Sequence, residues 1–147
     1  MDEPNTAPAY LKPVPEPTHE SKPYWDGLME GRLLLQQCGR CGRLRHYPRP
    51  LCDACFSFDV QWIEASGRGA VHSWTIAHHA FNPGFKDELP YVLVTVDLAE
   101  GVRMLAPLRG VEDQHLKVGL PVRISFERAT AELTLPAFVR DSRVTSG

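Results

Sequence analysis

No stretch of this chain approaches the roughly 18 consecutive apolar residues of a helical membrane span, so a transmembrane helix is not expected. The N-terminus, Met1-Asp2-Glu3-Pro4-Asn5, lacks the basic and apolar regions of a secretory leader. A soluble, cytoplasmic protein is therefore expected. An excess of charge of one sign is missing too: 18 acidic residues stand against 16 basic, a net charge of −2. That balance gives no global attraction to nucleic acid or to an anionic bilayer, although a local cluster still could. The sequence holds no Ser-His-Asp pattern, glycine-rich phosphate loop or paired-carboxylate motif, and no internal repeat. Cysteine is scarce, with four in 147 residues. In a reducing compartment four cysteines read as metal ligands before disulfides.

The length of 147 residues suits one compact domain, or one small domain with an appended module, and hydrophobic residues at 43% are enough for a modest core. The first 17 residues hold five of the 13 prolines and little apolar surface, so residues 1–20 read as a polyproline-like arm. Ser21 to Gly31 reads as a short helix: Ser21 can cap it, Pro23 suits the first turn, and Gly31 can stop it. Tyr24, Trp25, Leu28 and Met29 share one face at helical spacing. Leu33-Leu34-Leu35 reads as a strand leading to the first cysteine pair.

Beyond Cys55 the period changes to two. Val92, Val94, Val96 and Leu98 alternate with Leu93, Thr95 and Asp97, and Val122, Ile124 and Phe126 alternate likewise. Strands are expected near 60–65, 69–77, 91–98, 102–108 and 122–128, with a short one near 137–140. Ala99-Glu100-Gly101 is a hairpin turn, and residues 111–117 allow one helical turn before Gly119. The expectation is a mainly β chain in three parts. The arm (1–20) leads into a helix and the cysteine-bearing segment (21–58), and a small, partly open barrel of the OB type (59–147) follows.

Cys38-Gly39-Arg40-Cys41 and Cys52-Asp53-Ala54-Cys55 are two C-x-x-C pairs. Each can turn its backbone N–H groups toward its sulfurs, and two such knuckles supply the four thiolates of a structural zinc site, one Zn²⁺ per chain. Gly42 permits the tight positive-φ turn a knuckle needs; the second knuckle has Phe56 at that place. Iron would take the same ligand set, and disulfides or free thiols are the bland alternatives. Between Gly31 and Cys52 lie Arg32, Arg40, Arg43, Arg45 and Arg49 with no acidic residue, a run that can balance the thiolate charge.

In order, the chain presents Pro23-Tyr24-Trp25-Asp26-Gly27-Leu28, C-x-x-C-G, Tyr47-Pro48-Arg49 and C-x-x-C-x-Ser57. Ser66-Gly67-Arg68-Gly69, Pro90-Tyr91, Glu100-Gly101 and Val118-Gly119-Leu120-Pro121-Val122 follow. This series resembles a bacterial and archaeal family that joins a rubredoxin-like zinc ribbon to an OB-fold and is associated with acyl-CoA enzymes. The resemblance implies an accessory subunit in a hetero-oligomer with a thiolase-fold enzyme (thiolase, acyltransferase or aldolase), stabilising it and helping to bind the CoA thioester. It carries over Cys38, Cys41, Cys52 and Cys55 as zinc ligands. It carries over no catalytic residue, because the reacting groups belong to the partner.

Other residues have two readings each. Arg40, Arg43, Arg45 and Arg49 either screen the thiolates or hold CoA phosphates, for which guanidinium forks are well matched. A nucleic-acid-binding ribbon and barrel is the competing function, disfavoured by the net charge. Tyr24, Trp25, Phe81 and Phe85 are candidate partner contacts; the two phenylalanines could instead fold back on the barrel. His72, His78 and His79 could hold a metal, but no acid or cysteine lies at ligand spacing, and a strand-end role is the plainer reading.

Overall fold

The computed structural model describes residues 12, 14–80 and 82–142; most of the proline-rich arm and Phe81 lie outside that set. Among the described residues one α-helix, α1 (Lys22–Met29), is followed by eight strands, with short 3₁₀ segments at Pro83–Glu88 and Asp113–His115. The ribbon contributes β1 (Leu34–Cys38), β2 (Leu44–Arg45) and β3 (Val60–Glu64), an antiparallel sheet in the order β2-β1-β3. The barrel contributes β4 (Arg68–Ala77), β5 (Tyr91–Leu98), β6 (Arg103–Arg109), β7 (Pro121–Thr130) and β8 (Leu133–Arg140). They close in the order β4-β5-β6-β8-β7. Only the β6–β8 pair is parallel.

Period-two patterning explains the barrel interior. Val96 pairs with Val71 on one side and Met104 on the other, while Val94 pairs with Ala106 and Val92 with Leu108. All are buried, and each fully buried aliphatic contributes about 1.5–3 kcal/mol. Closure rests on three pairs between β4 and β7, among them Gly69 with Val122. A Cβ on Gly69 would lie 2.6 Å from the Asp97 carbonyl oxygen, so a side chain there would push β5 away. The barrel is closed, where the sequence leads one to expect it partly open.

Two expected strands change their role or extent. The strand at 60–64 precedes the barrel and hydrogen-bonds along its length to β1, so the sequence boundary at 58/59 cuts through the ribbon sheet. The last strand begins at Leu133, four residues earlier than expected. It runs through Pro136, which pairs with Phe126 of β7. Because β6 meets β8 only at Phe138 and Val139, Pro136 lies on a local edge where a missing N–H is tolerated.

The α1 helix joins the two parts. It packs on β1 and β8, and Tyr24, Trp25, Leu28, Leu33 and Leu35 belong to the same buried cluster as the barrel valines. Ser21 makes no side-chain cap to the helix; it is turned back, its Oγ accepting the Thr18 N–H at 2.9 Å. Tyr24 (2% exposed) and Trp25 (9% exposed) are therefore interior residues rather than the partner contacts expected of them. Their rings pack edge-on against each other and against Tyr47, and the Trp25 indole N–H donates to the Tyr47 hydroxyl at 2.9 Å. The apolar face of the helix is consumed by the chain's own core.

Candidate metal centre and flanking grooves

The end of β1 delivers Cys38 into the first knuckle. There the Gly42 N–H donates to the Cys38 carbonyl at 3.0 Å, and the Arg40 and Cys41 N–H groups lie 3.4 Å from the Cys38 Sγ. The second knuckle repeats the turn, with the Phe56 N–H on the Cys52 carbonyl at 2.9 Å and the Cys52 N–H on the Ser57 carbonyl at 3.0 Å. The residue after each pair is left-handed, Gly42 at φ 80° and Phe56 at φ 60°.

These turns bring all four Sγ atoms within 4.8 Å of one another. Cys38 lies 3.5 Å from Cys55, and Cys41 lies 3.6 Å from Cys52. A tetrahedral ion with metal–sulfur bonds near 2.3 Å needs sulfur–sulfur edges of about 3.8 Å. The donor set fits a tetrahedral thiophilic metal.

The thiols' acidity points the same way. The N–H groups of Cys41 and Arg40 push the Cys38 thiol down to about 6, and those of Cys55 and Ala54 lower Cys52. Cys55 has the Ser57 N–H in its favour, yet burial and the three neighbouring cysteines hold it up at about 11. Four adjacent thiolates repel one another, and full ionisation requires a bound cation.

The ribbon arginines do not act as one group. Arg45 is 7% exposed. Its Nε donates to Gln36 Oε1, which also accepts the Arg49 N–H at 2.7 Å, and its Nη2 donates to the Arg49 carbonyl at 3.2 Å. It staples the 45–49 segment to β1 and is a structural residue, not the exposed phosphate ligand the sequence allows. Arg43 lies 3.5 Å from Asp53, tying one knuckle to the other. Arg40 and Arg49 are exposed. Arg43, Arg45 and Arg49 line a groove of about 750 Å³ against the β5–β6 hairpin, where Arg103 joins them; Arg40 lies outside this lining. The groove is not purely cationic, because Asp53, Asp97 and Glu100 also face it and Arg103 is clamped to Asp97 at 2.7 Å.

Phe85 folds back rather than projecting: it stacks on Tyr91 at 5.4 Å, with the Lys12 ammonium 5.6 Å from its ring centre. Glu88 in the same loop binds Lys12 and Arg109, and Arg109 forks onto Glu127. His72, His78 and His79 are exposed, and the four cysteines form the metal-ligand cluster found among the described residues. Gln36 and Arg103 escape sequence reasoning, since their roles come from a cross-strand pairing and from a hairpin that folds toward the ribbon. No described helix is long and apolar enough to cross a membrane.

Residues 25–61 match the model of the ChsH2 rubredoxin-like zinc ribbon domain, and residues 62–127 match that of the ChsH2 C-terminal OB-fold domain. A DUF35 domain-containing scaffold protein of Pyrococcus furiosus is 37% identical over 105 residues, covering 69% of this chain and 74% of that protein. The chain belongs to the ChsH2/DUF35 family. A probable enoyl-CoA hydratase alpha subunit of Thermomonospora curvata is another relative, 39% identical over 131 residues. That alignment takes in 89% of this chain but 40% of the relative, so this chain spans less than half of that protein's length. In the solved structure of the Ltp2–ChsH2(DUF35) aldolase, one chain superposes with a TM-score of 0.79 at 38% identity. The match covers 86% of this chain and 98% of that one.

Proposed function

We propose that this chain is a non-catalytic accessory subunit of a thiolase-fold complex acting on an acyl-CoA, stabilising its partner and helping to bind the CoA thioester. One observation carries the reading: the chain matches nearly the whole length of the ChsH2(DUF35) chain in an aldolase that also contains Ltp2. Cys38, Cys41, Cys52 and Cys55 would hold one zinc ion, which supplies a structural cross-link between the knuckles and no open coordination position. Arg43 and Arg49 are the CoA-phosphate candidates, with Arg103 across the groove; Arg45 is committed to Gln36 and Arg49. With Asp53, Asp97 and Glu100 among its lining, the groove offers a few separate cations that suit one compact phosphate cluster, rather than the continuous cationic track that follows a nucleic-acid backbone.

The test is copurification of the tagged full chain, identification of its partner by mass spectrometry, and an acyl-CoA cleavage and condensation assay. Turnover by the purified complex, with none from the isolated chain, is the expected result. Tight oligonucleotide binding that falls steeply with salt, without an acyl-CoA partner, would replace this proposal with the nucleic-acid reading.

A further inference from the structure

We infer that the second cysteine knuckle and the aromatic side of β3 form the surface on which the thiolase-fold subunit sits. The inference rests on the accessory-subunit reading and adds the surface through which it works. The two knuckles differ at one equivalent place. Both need a left-handed residue after the second cysteine; the first supplies Gly42 and the second Phe56. A side chain is penalised in that conformation and glycine is not. Burial does not recover the penalty, because Phe56 is 70% exposed. Phe58, two residues on, is 76% exposed. Neither backbone geometry nor the chain's own core accounts for two open aromatic rings here.

The adjoining strand is open as well. Among the described residues β3 has a single neighbour, β1, so its outer edge offers unpaired backbone groups. Its sequence, Val60-Gln61-Trp62-Ile63-Glu64, lacks the lysine or proline that usually blunts an exposed edge. Phe58, Val60 and Trp62 line one groove of about 410 Å³ with Pro50, and Glu20 and Arg49 stand in its wall. An apolar centre with both signs of charge around it is the pattern of a protein–protein contact. It is complementary to an apolar protein surface that sets a cation against Glu20. A phosphate backbone would leave Glu20 opposed by like charge.

The test uses the full metal-loaded chain and the thiolase-fold subunit that copurifies with it, each purified and then recombined. Phe56→Gly removes the ring and suits the left-handed backbone, so the thermal midpoint of the free chain should hold or rise. Its affinity for the partner should fall about tenfold or more, as for an aromatic interface anchor. Phe58→Ser should do the same to affinity while leaving the midpoint of the free chain unchanged. If wild type binds and both variants bind within about twofold of it, this surface is refuted while the accessory reading stands. If wild type binds no thiolase-fold subunit, both fall. Light scattering that shows wild type as a dimer dissociated by Phe58→Ser, with partner binding intact in that variant, would assign the face to a second copy and overturn the proposal.

Discussion

The Tyr24 hydroxyl and His46 Nε2 lie 3.3 Å apart, joining α1 to the segment between the two knuckles. Burial pushes the His46 imidazole down to about 4 and pushes the Tyr24 hydroxyl up, so both are neutral near pH 7. With its folded value below the ordinary 6.5, His46 binds a proton in the unfolded chain before the folded one. Its contribution to stability is complete above about pH 6.5 and is lost as pH falls through 4, reaching roughly 3 kcal/mol in all. Urea unfolding at pH 7, 6 and 5 should show wild type losing more stability than His46→Phe, which has no group to protonate. Parallel losses in the two proteins would refute this assignment.

The metal centre makes a second, spatially resolved prediction. Between Cys38 and Ser57 the buried residues are Cys38, Arg45, Pro48 and Cys52, so that stretch has almost no apolar core of its own. The purified chain should carry one zinc ion and be colourless; visible thiolate-to-iron absorption would mean iron instead. Chelation, or Cys52→Ser, should strip hydrogen-exchange protection from amides of the 38–58 segment first. The amides of β4 to β8 should keep theirs, because the barrel interior is closed by its own valines. Equal loss in both regions would mean that the ribbon and barrel unfold as one unit.

Trp25 separates an interior role from an interface role. It is 9% exposed and donates its indole N–H to Tyr47 within the chain. Trp25→Ala should therefore destabilise the isolated chain by about 3–5 kcal/mol, with no partner present. Trp25→Phe keeps most of the packing and loses the donor, and its smaller effect should be near 1 kcal/mol. Denaturant titration of the two variants checks both figures; wild-type stability in Trp25→Ala would return this residue to the interface.

Legibility in the sequence followed the range of the interactions. Alternation at Val92, Val94 and Val96 and the two C-x-x-C pairs are local patterns, and the strands and the sulfur cluster lie where those patterns put them. Tyr24 and Trp25 show the limit. Their helical spacing marks an apolar face but does not say what covers it, and the cover is Tyr47 and β8, brought from elsewhere in the chain. β2 has two residues, too few for any period, and it exists because Arg45 stands opposite Gln36 in the ladder. The arginine run is a composition signal only. Whether a given guanidinium is buried, paired or open depends on Gln36, Asp53 and the Arg103 hairpin, none adjacent to it in sequence.

That division among the arginines can be measured, and the signs of two readouts decide it. Arg45→Met removes the buried guanidinium donor from Gln36 Oε1, which keeps only the Arg49 N–H, and from the Arg49 carbonyl, and this should cost about 1–3 kcal/mol of stability. Arg43 and Arg49 are open to solvent, and the 3.5 Å contact of Arg43 with Asp53 is a surface pair worth little. Arg43→Ala and Arg49→Ala should therefore leave the melting temperature of the free chain nearly unchanged. In the complex, if these side chains hold phosphate, the two substitutions should raise the KM for the acyl-CoA by about tenfold for each 1.4 kcal/mol of binding lost. A phosphate contact remote from the reacting carbons is made equally in ground and transition states, so on this reading kcat should stay put. A CoA analogue lacking the 3′-phosphate should show a smaller KM difference between wild type and variants if that phosphate is the one held. Unchanged KM with a lowered melting temperature would instead leave Arg43 and Arg49 as counter-charges to the thiolates, and the groove against the β5–β6 hairpin would not be the CoA site.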